Sequence, residues 1–265
     1  MADRPERGRT AMTPRLITIP ISHYCEKARW ALDRAGIAHR EEPHVQFVHI
    51  AAALRAGGGR TVPVLVPGDG PVLRQSWEIL RWADARTPAD RRLHPTGAEG
   101  VRAAELEARF DAGLGPDGRL WMYHGTLPVV RDMAPWALAG TPRSERRAFA
   151  VAGGALDPLI RRYLGVDDAR AAAALARVDA VFDEVAGMLS DGRPFLTGER
   201  FTAADLAFGA LSSAVLMPEE YGSPLPPLDA LPPAVAAQSR RLRGHPAGRF
   251  AARLYAEERR GTAPR

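Results

Sequence analysis

The sequence predicts a chain in two parts, α/β first and all-α after it. Three observations carry this. Residues 17–33 read ITIPISHYCEKARWALD: a β-branched apolar run (Leu16, Ile17, Thr18, Ile19) stops at Pro20 and, after Ser22, gives way to a helical pattern. Residues 15–86 continue as strand, helix, strand, helix, strand, strand, helix. From Val101 onward the apolar spacing is helical.

Composition bounds the function. The 265 residues, 46% hydrophobic and 25% charged, suffice for one large core or two small ones. A single cysteine, Cys25, excludes an intramolecular disulfide framework and a cysteine-based metal cluster, and it suits a reducing compartment. The seven histidines show no metal-ligand spacing, so no metal is expected. The opening MADRPERGRT lacks the apolar core of a secretory signal, and no apolar run reaches membrane-spanning length. A soluble, cytoplasmic protein with no membrane partner is therefore expected. The net charge is +5, but the basic residues are scattered over helix faces and the two ends, with no basic run interleaved with aromatics. Nucleic-acid binding is not expected from that pattern.

Taken in order, residues 1–14 read as a disordered lead. Residues 15–20 form the first strand. In the helix over 23–35, Ala28, Leu32 and Ala35 fall on one side with Ala31 beside them, and Glu26, Lys27, Arg29, Asp33 and Arg34 fall mostly on the other. Gly36 ends it. Ser22 stands at the N-cap position. Its hydroxyl can cap the helix, or it can donate to an anion held before the unpaired first-turn amides. Residues 38–45 make an edge strand, because Pro43 cannot donate to a ladder. A short helix over 47–55 ends in Gly57-Gly58-Gly59. With no Lys-Ser/Thr after it and a strand following, that run is a turn and not a phosphate cradle. Pro63 enters the strand Thr61-Val62-Pro63-Val64-Leu65-Val66, which calls for an edge position or a cis bond. Gly68-Asp69-Gly70 turns the chain into a fourth strand over 72–74. A helix then opens at Arg74-Gln75-Ser76, with Ser76 suited to cap it.

Residues 87–100, with Pro88, Pro95 and Gly97, read as a linker. Helices are expected over 102–113, over 119–139 with breaks near Pro128 and Pro135, over 143–164, and over 168–190. The last is amphipathic through Leu175, Val178, Val181, Phe182, Val185 and Leu189. In Phe201-Thr202-Ala203-Ala204-Asp205-Leu206, Thr202 and Asp205 have capping-box spacing, and Phe201 and Leu206 occupy the staple positions. Such a cap contributes roughly 0.5–2 kcal/mol. Residues 217–233 are proline-rich, and helices over 233–243 and 246–260 close the chain.

Ser22-His23-Tyr24-Cys25-Glu26-Lys27-Ala28-Arg29 resembles the active-site loop of glutaredoxins and glutathione transferases. Ser22 takes the first cysteine position, which in serine- and cysteine-type transferases contacts the glutathione sulfur. Cys25 takes the second, and His23 replaces the proline. Thr61-Val62-Pro63-Val64-Leu65 is similar to the cis-proline motif of the thioredoxin-like fold, and Gln75-Ser76 to the pair that binds the γ-glutamyl group. Residues 194–206 are similar to the capping motif of transferase C-terminal domains. The resemblance to the glutathione S-transferase family covers about residues 15–215. It implies a thioredoxin-like N-terminal domain over 15–86, a linker over 87–100 and an all-helical C-terminal domain of the transferase (GST) type over 101–260. It also implies a homodimer, and conjugation of glutathione, as co-substrate, to a small electrophile.

Carried over residue by residue, the resemblance puts Ser22 on the sulfur with Tyr24 as a second donor. Val62, before Pro63, would pair its backbone with the cysteinyl main chain. Gln75 and Ser76 would bind the γ-glutamyl ammonium and carboxylate. Neutral Gln75 stands where Glu or Asp is usual, which weakens the ammonium contact. The electrophile would lie against Tyr24, Trp121, Met122, Tyr123, His124 and Met133. Disulfide exchange would want a cysteine at position 22, and Cys25, one turn into the helix, is expected to be buried and inert. A serine hydrolase would need a G-x-S-x-G elbow, which is missing. The remaining alternative is a transferase-like fold kept for binding.

Overall fold

The computed structural model describes residues 12–259. Most of the expected lead lies outside them. Its last residues are docked, since the Pro14 carbonyl accepts the Arg40 amide at 2.8 Å.

The N-terminal part is a three-stranded sheet flanked by helices. Its elements are β1 (Arg15–Thr18), α1 (His23–Arg34), β2 (Arg40–Pro43), α2 (Val48–Arg55), β3 (Val64–Val66) and α3 (Ser76–Asp84). The strand order is β2-β1-β3. β1 and β2 are parallel, with Leu16 opposite Glu41, and α1 supplies the crossover that parallel strands require. β3 runs antiparallel to β1, with Leu16 opposite Leu65. The expected fourth strand shrinks to one bridge, in which Leu65 and Leu73 exchange amide bonds at 2.9 Å. Pro67 and Pro71 flank the turn without N–H groups, so no longer ladder can form there.

α1 departs from its expected amphipathicity. Glu26, Lys27 and Arg29 are as buried as Ala28 and Leu32. The polar side faces charged partners and not water. Lys27 Nζ pairs with Glu107 at 2.8 Å and Asp111 at 2.6 Å. Arg29 pairs with Glu41 at 2.7 Å. Glu26 accepts from Arg259 Nε at 2.8 Å and from the Gly222 amide at 3.0 Å.

The helical part begins inside the expected linker. A 3₁₀ turn at Ala89–Arg91 precedes α4 (Ala98–Ala112). His94, between them, bonds Asp84 and Glu107. Burial disfavours its cation, but the two carboxylates outweigh that and push its pKa up to about 9. α5 (Leu114–Thr126) breaks at Pro128 as expected, into a 3₁₀ turn at Leu127–Val129 and the short α6 (Ala134–Ala137). The helix expected over 143–164 is two, α7 (Arg143–Ala152) and α8 (Leu156–Leu164), parted by a 3₁₀ turn at Gly153–Ala155 where two glycines weaken the helix. α9 (Asp168–Met188), α10 (Ala203–Leu216), α11 (Pro233–Gly244) and α12 (Pro246–Leu254) follow, and a π turn at Tyr255–Arg259 ends the described chain. None of these helices is long and apolar enough to cross a membrane.

α10 is the central rod. Every one of its residues is buried, and it packs against α1, α4 and α5. Gly209 lets Trp30 of α1 lie against it: a Cβ there would stand 3.0 Å from the indole. Trp30 also packs at a tilt against Tyr255, ring centroids 4.9 Å apart, so α1 is held against both α10 and the tail. The N-terminus of α10 is tied by Asp205, which accepts from the Thr202 amide and the Leu196 amide, both at 2.8 Å. Burial pushes the Asp205 carboxyl up to about 6 despite these donors.

Asp205→Ala strands two buried amides, and each lost bond costs about 1–3 kcal/mol. We expect urea unfolding to show a loss of roughly 2–6 kcal/mol, above the cap value alone. A variant as stable as wild type would remove Asp205 from its structural role.

Candidate active site

Two spaces meet in front of α1. The first is a cleft of about 520 Å³, within the usual range for small-molecule sites. Val62, Pro63, Gln75 and Ser76 form one wall, and Glu107 and Asp111 of α4 line the other. The second, of about 200 Å³, is apolar and runs under Ser22 and His23 between Phe47, Ile50, Met122, Met133 and Trp136. Tyr24, Thr61, Val62 and Arg119 border both spaces.

Ser22 is the N-cap of α1, as its position predicts. Its Oγ accepts the Cys25 amide over a long 3.4 Å, and the hydroxyl also lies within hydrogen-bond reach of the Cys25 thiol. Cys25 is wholly buried, and burial pushes its thiol pKa up, against the pull of Arg29. Tyr24 is differently engaged. Its hydroxyl donates to the Asp111 carbonyl at 2.7 Å, and burial pushes its pKa up to about 12. The ring packs so closely on Gly115 that a Cβ there would lie 2.3 Å from the hydroxyl. His23, 5% exposed, lines the apolar space with its Nε2 unpartnered. Burial first, then the charge of Arg119, lowers its pKa to about 3, so the ring is neutral.

The Val62–Pro63 bond is cis. At α3 the cap position falls on Gln75, and Ser76 is the first helical residue, buried at the cleft wall. Glu78 accepts the Arg74 and Gln75 amides at 2.6 and 3.0 Å, which closes part of that helix end.

Of the residues expected against an electrophile, Tyr24, Met122, Tyr123 and Met133 line the apolar space. Trp121 is buried in the helical core and lines neither space. His124 pairs with Asp168 at 2.7 Å and also lines neither. The residue that sequence reasoning misses is Arg119. Helical spacing offers the signal: positions 119, 122 and 123 share a face, and 121 falls off it.

Residues 16–91 match the description "Glutathione S-transferase, N-terminal domain", and residues 168–237 match "Glutathione S-transferase, C-terminal domain". The chain belongs to the glutathione S-transferase family. Solved structures resemble it over nearly their whole length. A glutathione S-transferase from Methylobacillus flagellatus with glutathione bound is 18% identical, covers 96% of this chain and 100% of its own, and has a TM-score of 0.57. One from Methylobacterium radiotolerans, in complex with glutathione sulfonate, is 21% identical, with 91% and 95% covered and a TM-score of 0.53. At these identities the likeness is one of fold. No curated protein matches the chain.

In this glutathione S-transferase-family chain, the Tyr24 hydroxyl is a strut between α1 and α4. We expect Tyr24→Phe to lower the unfolding free energy, without any ligand, by about 1 kcal/mol. An unchanged value would return the hydroxyl to the list of donors for a bound thiol.

Proposed function

We propose that this chain conjugates glutathione to small, apolar electrophiles. The observation that carries the reading is the meeting of the two spaces: the more polar cleft at Val62, Gln75 and Ser76 opens beside the more apolar space under Ser22. In this reading the γ-glutamyl carboxylate sits against Ser76 at the N-terminus of α3, where the helix favours negative charge. The Gln75 side-chain carbonyl accepts from the ammonium. The Val62 backbone pairs with the cysteinyl main chain. The sulfur then faces Ser22, and the electrophile fills the apolar space.

The chemistry follows from these positions. The thiol releases its proton to solvent, and the Ser22 hydroxyl donates to the resulting thiolate. The first-turn amides of α1 add positive potential. The sulfur pair forms a C–S bond as a leaving group departs with its own pair, or as a conjugated double bond accepts the charge. Disulfide exchange is disfavoured, since position 22 carries no sulfur and the Cys25 thiol is buried with a raised pKa. A cytoplasmic setting and a homodimer belong to the same reading.

Calorimetric titration with glutathione tests the proposal. Wild type binds, and Gln75→Ala with Ser76→Ala binds at least tenfold more weakly. Ser22→Ala keeps the affinity and conjugates a model electrophile roughly ten- to a hundredfold more slowly, as loss of a hydrogen bond to charge implies. Folded wild type that binds no glutathione overturns the proposal. Binding without turnover of any electrophile assigns the fold to ligand binding alone.

A further inference from the structure

Of the charged groups around the two spaces, one is unmatched at their boundary. Arg81 borders only the cleft and lies over the Trp77 ring. Arg60 borders only the apolar space. Glu107 and Asp111 of α4 are held by the buried Lys27. Asp117, two residues before Arg119, pairs with Arg177 at 2.6 Å. Among the described residues, no carboxylate pairs with Arg119, which is half-buried and borders both spaces. An arginine so withdrawn from water and without an anion has room for one supplied by a ligand.

The hydroxyl donors narrow the choice further. Tyr24 has given its hydrogen to the Asp111 carbonyl, so only Ser22 among the two candidate hydroxyls can donate at the boundary. One neutral hydroxyl is a modest anchor for a sulfur anion, whereas a guanidinium supplies both charge and donors. The field of Arg119 already reaches this point, since it disfavours the His23 cation and favours the Tyr24 and Tyr123 anions.

We propose that Arg119 holds the glutathione thiolate: it faces the sulfur from α5 while Ser22 faces it from α1, and its charge keeps the thiol ionised near neutral pH. This rests on the conjugation reading above. No bond is made or broken by Arg119, and the thiol proton leaves to solvent. Tyr123 and Tyr221 also line the apolar space as neutral phenols, and Ser213 bonds the Ala210 carbonyl. His23 is neutral above about pH 3 and Tyr24 below about pH 12, so neither obscures the titration of a bound thiol near neutrality.

The test follows bound glutathione by thiolate ultraviolet absorbance against pH, together with the pH profile of kcat/KM, in wild type, Arg119→Leu, Arg119→Gln and Arg119→Lys. Arg119→Gln keeps length and polarity if the leucine variant does not fold. We expect the neutral variants to raise the thiol midpoint by about one unit or more, as removal of a close opposite charge does. The pH profile moves with it, glutathione still binds, and lysine restores part of the shift. An unchanged midpoint in a folded neutral variant that still binds glutathione overturns the inference but leaves the conjugation reading standing. A variant that loses activity only toward anionic electrophiles, at an unchanged midpoint, also overturns it and reassigns Arg119 to the second substrate. Wild type that binds no glutathione overturns both.

Discussion

Three charged side chains of α1 are buried, and each is neutralised by a different part of the chain. Lys27 reaches α4, Arg29 reaches Glu41 in β2, and Glu26 reaches Arg259 at the far end. A buried charge that loses its partner typically costs 3–5 kcal/mol. That penalty leaves α1 one rotation and one height at which all three pairs close. Apolar burial alone is less exacting, since a helix of small and branched residues can slide with modest repacking. Ion pairing therefore sets the register of this helix, and Trp30 against Gly209 locks its depth.

The position of the candidate site depends on this register. Ser22 caps α1, so its hydroxyl goes where the helix end goes. Lys27 draws Asp111 of α4 toward α1, and the Asp111 carbonyl then catches the Tyr24 hydroxyl. α4 in turn carries Glu107, which His94 ties back to Asp84 at the end of α3. The helix ends that front the two spaces, at Ser22 and at Gln75, are thus linked through buried charges behind them. The facing wall, built from Val62, Pro63, Gln75 and Ser76, needs no such network.

Much of this was legible in the sequence where the signal is local. The strand-to-helix switch at Pro20, the break at Pro128, and the Thr202–Asp205 cap each follow from residues within a turn of one another, and the structure has all three. What failed was non-local or a matter of phase. Periodicity separates polar from apolar faces of α1, but it cannot tell water from partners 84 and 233 positions away. The fourth strand has a suitable turn, yet prolines on both sides of it remove the donors a ladder needs. Choosing Trp121 and His124 by composition overlooked that the cavity face of α5 passes through 119, 122 and 123. Arg119 was hidden because an arginine on a helix is ordinarily a solvated one, and only the positions of its neighbours' charges show that it stands unmatched.

The most direct measurement is a crystal structure of the protein with glutathione. The γ-glutamyl carboxylate is expected at Ser76, the cysteinyl main chain paired with Val62, and the sulfur within hydrogen-bond reach of the Ser22 hydroxyl and facing Arg119. The apolar space under His23 stays open beside the sulfur. Glutathione seated elsewhere, or with its sulfur turned away from Ser22 toward solvent, contradicts the account.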